Sequence, residues 1–301
     1  MQEWVRKHGF SDDKALLDYA YALSTHYGQA IGSLACQMYE KTAAAQGVIV
    51  PTAEIADLPE YGEVAKAVHG TMKQSQVKVP STIARLVKQV GADTTLKNAK
   101  RDGAQFAWIP HGDTCAFCIT LASRGWQYMS DKALKGGHAE HIHANCDCEY
   151  AVRFDGHSTV AGYNPDKYLE IYNNMSGSSS DEKINSLRRM LNGKNPLTLD
   201  QIEFTIKLEQ DSLILGQRTP KEWKDYLDNL GFETKPLGAG SLKGIQFEDG
   251  GGYRINYRGD GYLQYHPEGR HHTVAYYKVS NAKNGTKRFD MKGVELNESK
   301  H

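Results

Sequence analysis

The sequence predicts a multidomain α+β protein, and three observations carry that expectation. Apolar residues recur at offsets of three and four through the first hundred positions, a compact cluster of cysteine and histidine follows, and the last stretch alternates polar and apolar residues between glycine-rich turns. At 301 residues the chain has room for two or three domains, each able to bury a core. The expected segments are a helical domain over 1–107, a metal-binding module over 108–155, a linker with short helices over 156–210, and a small α+β domain over 211–301 with an antiparallel sheet.

From Asp12 to Gln46, apolar residues fall at Leu16, Leu17, Tyr19, Ala20 and Leu23, then at Ile31, Leu34, Ala35 and Met38. This spacing predicts one or two amphipathic helices started by Ser11-Asp12-Asp13. Gly47-Val-Ile-Val-Pro51 interrupts the pattern. Further helices are expected from about Glu60 to Met72 and from about Ser81 to Asp102. The second is capped by Pro80-Ser81-Thr82 and carries Ile83, Leu86, Val87 and Val90 on one face. Nothing in this region points to catalysis, and a packing or assembly role is expected.

Four of the 5 cysteines then gather in Cys115-Ala-Phe-Cys118 and His143-Ala-Asn-Cys146-Asp-Cys148. A CxxC turn aims two sulfurs at one ion, and the second cluster supplies the remaining ligands of a tetrahedral zinc site. Cys115, Cys118, His143, Cys146 and Cys148 are the candidates, with His138 and His141 just upstream. A zinc shell needs four, so which four bind stays open. A structural zinc is the expected reading, with a disulfide or unmetallated cluster and a catalytic metal as the alternatives. His138-Ala-Glu140 matches the HxE of zinc nucleobase deaminases, but there the HxE precedes the cysteine pair, and here the order is reversed. The remaining cysteine, Cys36, lies in an apolar helical stretch and is expected to be a buried thiol. Glu149-Tyr-Ala-Val-Arg-Phe154 alternates like a short strand leaving the module. A module this small has little core, and zinc binding contributes folding free energy of about 10 kcal/mol in such sites.

The helices leading into Arg101-Asp102-Gly-Ala-Gln-Phe-Ala-Trp108-Ile-Pro110, then Asp113-Thr-Cys115-Ala-Phe-Cys118, Leu121-Ala-Ser-Arg-Gly125 and the HxxCxC box, resemble minor head proteins of tailed phages. Proteins of this Mu F-like head morphogenesis group end their head domain with a CxxC followed by an HPNCRC-type box. Ala144 stands here in place of the usual Pro and Asp147 in place of the frequent Arg, and neither change removes a ligand. The resemblance spans about residues 10 to 155. It implies a virion component carried in the phage head, with portal and capsid proteins as partners, made in the host cytoplasm.

After Asp155 the character changes. Gly156 to Asn174 reads as a tyrosine-bearing connector and Met175-Ser-Gly-Ser-Ser-Ser-Asp181 as a polar linker. Lys183 to Leu191 and Thr198 to Leu208 are short helical patterns. Thr219-Pro-Lys-Glu222 before Trp223 and Tyr226 predicts a capped helix with Pro220 in its first turn. Candidate strands follow at Tyr253–Tyr257, Tyr262–Tyr265, Val274–Val279 and Lys287–Asp290, with Asn284-Gly285 as a hairpin signal.

Across this strand region lie His266, Arg270, His271, His272, Tyr276, Lys278, Ser280, Lys287 and Arg288. The set suits RNA cleavage by internal attack of the 2′-hydroxyl. His266 and His272 are the candidate acid and base, because imidazole exchanges protons near neutral pH. Arg270, Lys278 and Arg288 are candidate phosphate clamps, Ser280 or Tyr276 an orienting donor, and Lys287 a further contact to substrate. Tyrosines can stack on unpaired bases. Within Val274–Val279, Tyr276 and Lys278 share one face while Ala275, Tyr277 and Val279 share the other. The layout loosely resembles the barnase–EndoU–colicin–RelE-like RNase toxins, which implies an immunity protein as a further partner. Binding of nucleic acid or capsid partners without catalysis is the alternative, and an ADP-ribosyltransferase has no Glu-x-Glu pair after Gly250 to support it.

Composition bounds the rest. Hydrophobic residues at 40% and charged ones at 24% are ordinary for a globular protein, and net charge is zero. From Lys235 onward, eleven Lys and Arg face seven Asp and Glu, so the tail is basic. No apolar run approaches the roughly 18 residues of a membrane span, and the N-terminus shows no apolar signal core. A reducing compartment is expected during synthesis.

Overall fold

The computed structural model describes residues 1–111, 114–129, 148–193, 196–257, 261–269, 273–281 and 284–296. The chain is α+β and forms two compact units, Met1–Leu169 and Glu170–His301.

The first unit opens with α1 (Gln2–His8), α2 (Asp13–Ala45), α3 (Tyr61–Met72) and α4 (Val79–Arg101). Where the apolar spacing allowed one or two helices, α2 is a single helix of 33 residues. Its buried stripe passes from Leu16, Leu17 and Ala20 through Ser24, Gly28 and Gly32 to Cys36, Tyr39 and Ala43. The middle of the stripe is made of small residues, which a count of large apolar side chains does not register. They serve close approach. A Cβ at Gly28 would stand 3.2 Å from both Leu58 and Val90, and one at Gly32 only 2.5 Å from Ile55. Asp12 caps the helix by accepting the Ala15 amide. Cys36 is buried, and that burial raises its thiol pKa.

Helix α4 begins at Val79, ahead of the expected Pro80-Ser81-Thr82 cap, with Pro80 in the first turn where its missing N–H is no loss. Two polar side chains on its buried face tie down the connection between α2 and α3. Asn98 donates to Glu54 O at 2.8 Å and accepts the Glu54 amide at 3.0 Å, while Thr94 accepts the Ala56 amide at 3.0 Å. Buried polar groups are satisfied here by backbone that has no secondary structure of its own.

Strand β1 (Gln105–Ile109) pairs antiparallel with both β2 (Gln127–Tyr128) and β3 (Glu149–Arg153), giving a sheet of order β2-β1-β3. The strand expected at Glu149–Phe154 is β3. From Phe106 to Ile109, β1 is buried throughout, so it shows no polar–apolar alternation in the sequence. Helix α5 (Ala116–Ala122) follows β1, with Cys115 at its N-cap.

Next come α6 (Pro165–Asn173), α7 (Ser180–Asn192), α8 (Leu199–Gln210) and α9 (Pro220–Asn229). Helix α6 falls where a connector was expected. The polar run after Met175 is shorter as a breaker than it reads, because Ser179 is already the N-cap of α7. Helices α7, α8 and α9 each start with the same reciprocal device, Ser179 with Glu182, Thr198 with Gln201, and Thr219 with Glu222. In each, the hydroxyl accepts the backbone N–H three residues on, and the Glu or Gln side chain returns to the cap amide.

The chain ends in a five-stranded antiparallel meander, β4 (Lys235–Pro236), β5 (Tyr253–Asn256), β6 (Tyr262–His266), β7 (Tyr276–Asn281) and β8 (Gly285–Phe289), in that spatial order. Strand β4 has only two residues and too little pattern to predict. Strand β7 starts later and runs further than expected. Tyr253, Ile255, Leu263, Tyr265, Tyr277, Val279 and Phe289 are buried on one face. Among the described residues, no helix is long and apolar enough to cross a membrane.

Candidate functional site

Antiparallel partners put their side chains on the same face of a sheet, so the register of the meander decides which polar residues meet. His266 pairs with Tyr276, Gln264 with Lys278, and Tyr262 with Ser280. On the next strand Lys278 pairs with Arg288 and Ser280 with Thr286. On the other side Arg254 pairs with Gln264 and Asn256 with Tyr262, and Lys235 pairs with Arg254. One face therefore carries Lys235, Arg254, Asn256, Tyr262, Gln264, His266, Tyr276, Lys278, Ser280, Thr286 and Arg288. None of these paired positions holds a carboxylate. Five sequence-predicted residues, His266, Tyr276, Lys278, Ser280 and Arg288, converge here.

Within that face the contacts are specific. The His266 imidazole stacks on Tyr276 with centroids 4.6 Å apart, and its Nε2 lies 3.1 Å from Gln264 Oε1. The Arg288 guanidinium lies 5.7 Å from the Tyr276 ring centroid. Tyr276 itself is only 5% exposed, so it supports His266 and Arg288 from beneath and does not offer an open ring to a base. Ser280 Oγ and Thr286 Oγ1 are 2.9 Å apart.

Tyr262 was not singled out from sequence, yet it sits at the middle of the polar face. The Arg254 guanidinium lies 4.2 Å from its ring centroid and Lys278 Nζ lies 5.8 Å from it. Burial pushes its phenol upward. Hydrogen bonds from the Thr286 and Ser280 hydroxyls, together with the Lys278 charge and hydrogen bond, outweigh that and leave its pKa below the ordinary tyrosine value. Such a phenol yields its proton more readily than a surface tyrosine does. The signal that could have found Tyr262, Gln264 and Arg254 is the alternation in Tyr262-Leu-Gln-Tyr-His266, read together with the hairpin register.

Other predicted residues fall elsewhere. Lys287 pairs with Val279 on the opposite face and forms an ion pair with Glu295 at 2.8 Å. It has no place beside His266. Arg270 and His272 lie outside the described residues, as do His143 and Cys146 of the metal cluster.

In the first unit, Cys115 and Cys118 do converge. Cys115 Sγ accepts the Cys118 amide at 3.4 Å, and the two sulfurs are also 3.4 Å apart. That exceeds a disulfide bond of about 2.05 Å and comes close to the roughly 3.8 Å between two thiolates on a tetrahedral zinc with bonds of about 2.3 Å. Cys148 packs against the same core cluster, with Trp108 and Leu121. Among the described residues, no three His, Cys, Asp or Glu side chains form a ligand set.

The family model described as VG15 protein matches residues 1–175. No curated protein and no solved structure matches the chain.

Proposed function

Since the chain belongs to the VG15 protein family, a family of viral, phage-associated proteins, we propose that it is a minor head protein of a tailed phage. In this reading its C-terminal unit is a ribonuclease. The head assignment is supported by the CxxC and HxxCxC boxes and by the Arg101–Pro110 segment, which resemble Mu F-like head proteins. Zinc belongs to the head part, where it is structural. Cys115 and Cys118 supply two thiolates, and Cys148, Cys146 and His143 are the further candidate ligands.

The single observation that carries the nuclease reading is the polar face of the C-terminal sheet, whose described paired positions hold no carboxylate and where His266, Tyr276, Lys278, Ser280 and Arg288 meet. On it, a ribose 2′-oxygen attacks the adjacent phosphorus. The P–O2′ bond forms, the P–O5′ bond breaks, and the products are a 2′,3′-cyclic phosphate and a free 5′-hydroxyl. His266 transfers one of the two protons involved, and His272 is the candidate for the other. Lys278 and Arg288 neutralise charge that builds on the non-bridging oxygens, and Ser280 orients the phosphate. The reaction balances without a metal or other co-reactant.

The test is expression of the full chain in bacteria, alone and as His266→Ala. Growth arrest with RNA fragmentation, both lost in the variant, is the expected result. Intact RNA and normal growth with wild-type chain would favour the second reading, a head protein whose basic sheet binds nucleic acid or capsid partners without cutting. That reading has its own support in the cations of the sheet face, which need no histidine to attract phosphate.

A further inference from the structure

The register of the meander places five residues in one line across all five strands: Lys235, Arg254, Gln264, Lys278 and Arg288. Each is the direct partner of the next, so the line runs perpendicular to the strands. Four of the five positions are cationic. We propose that this row is a phosphate rail that seats a single strand of nucleic acid across the sheet. The proposal rests on the nucleic-acid reading above, but not on cleavage.

Three features define the occupant. Four interstrand steps of about 4.8 Å make a rail of about 19 Å, enough for about four nucleotides at the low end of single-strand binding sites. Planar groups flank the rail on β6, where Tyr262 and His266 lie two residues to either side of Gln264, about 7 Å along the strand. The Tyr262 ring is held by Arg254 and the His266 ring by Tyr276, so both are fixed in orientation. Unpaired bases stack on such groups, whereas bases inside a duplex are already stacked on each other. An acidic peptide would use the charges but not the rings. Glu233 pairs with Lys235 at 2.8 Å, and both are largely exposed, so a phosphate displaces it at little cost.

Gln264 interrupts the charge at the centre of the row, next to His266. The rail thus holds a strand by cations on both sides of the position where the proposed reaction occurs, with Lys235 and Arg254 on one side and Lys278 and Arg288 on the other.

The test uses full-length protein and a labelled 2′-deoxy oligonucleotide, which cannot undergo 2′-hydroxyl attack, so binding is read without cleavage. Affinity by fluorescence anisotropy should fall with salt at a log–log slope of about −3, the value for four cations on a single strand. Lys235→Gln with Arg254→Gln should cut that slope to about half, while Lys235→Arg with Arg254→Lys should restore it. The same sequence as a duplex should bind at least tenfold more weakly, and polyglutamate should compete poorly. An unchanged slope in the Gln variant, equal duplex binding, or competition by polyglutamate would each overturn the rail. Cleavage of a dinucleotide surviving in that variant leaves the nuclease reading standing if the rail fails. Binding without any cleavage does the reverse.

Discussion

His266 and Tyr276 stack in register across β6 and β7, with ring centroids 4.6 Å apart and planes 2° from parallel. A histidine on a strand face has several rotamers open to it, and the stack selects one. Tyr276 is the platform, held at 5% exposure by the sheet. Tyr276→Phe keeps the ring and should keep cleavage near wild type. Tyr276→Leu removes the platform and should lower kcat by about tenfold or more, because small misplacements of a reacting group are costly. Steady-state kinetics on a short RNA substrate distinguishes the two variants.

The Tyr262 phenol should ionise before Tyr253, Tyr265, Tyr276 and Tyr277 of the same sheet as pH rises, because burial raises the pKa of each of those four. Its pKa is lowered, since Thr286, Ser280 and Lys278 together outweigh the upward push of burial. A depressed pKa contributes stability that is fully present above the unfolded value of about 10 and is lost as pH falls through the folded value. Phenolate absorbance against pH should show an early component that Tyr262→Phe abolishes and Lys278→Gln moves upward.

In the first unit, Tyr39 Oη donates to Asp102 Oδ2 at 2.9 Å, and Arg101 Nε donates to Asp102 Oδ1 at 2.7 Å. The Arg101 hydrogen bond is the main cause of a lowered Asp102 pKa, with burial opposing it and Tyr39 assisting. Asp102→Asn should cost about 1–3 kcal/mol at neutral pH. The sign follows from the depressed pKa: this stabilisation exists above the unfolded carboxyl value of about 3.9 and disappears as pH falls through the folded one. Denaturant melts at pH 7 and at low pH should therefore differ less in the variant than in wild type.

Elemental analysis of purified protein should find one zinc per chain, lost on Cys115→Ser. Because Cys115 also caps α5 through the Cys118 amide, Cys118→Ser serves as a second variant that leaves the cap atom in place. A folded protein that holds no zinc would contradict the brace.

Much of the fold was legible because it follows from local signals. Helices α3, α8 and α9 and strands β5, β6 and β8 are announced by periodicity, by S/T-x-x-E/Q boxes or by glycine turns. What was hidden depended on partners distant in sequence. The unity of α2 lies in Ser24, Gly28 and Gly32, whose value is the room they give Ile55, Leu58 and Val90. Strand β4 exists only because Lys235 and Pro236 find Arg254 and Tyr253. The site was legible by residue type but not by face. His266, Lys278, Ser280 and Arg288 come together as a consequence of register, and the same register sends Lys287 to the other side. Tyr262 resembles the buried tyrosines of the sheet until its cross-strand partner is known to be Ser280.

The most direct measurement is end-group analysis of a single-stranded RNA incubated with the purified full-length protein without added metal. Cleavage by the proposed route leaves 2′,3′-cyclic phosphate and 5′-hydroxyl ends, spares the 2′-deoxy strand of the same sequence, and drops by about 10²–10⁴-fold in His266→Ala. RNA left intact, ends of the opposite polarity, or cleavage that persists in His266→Ala would contradict the account.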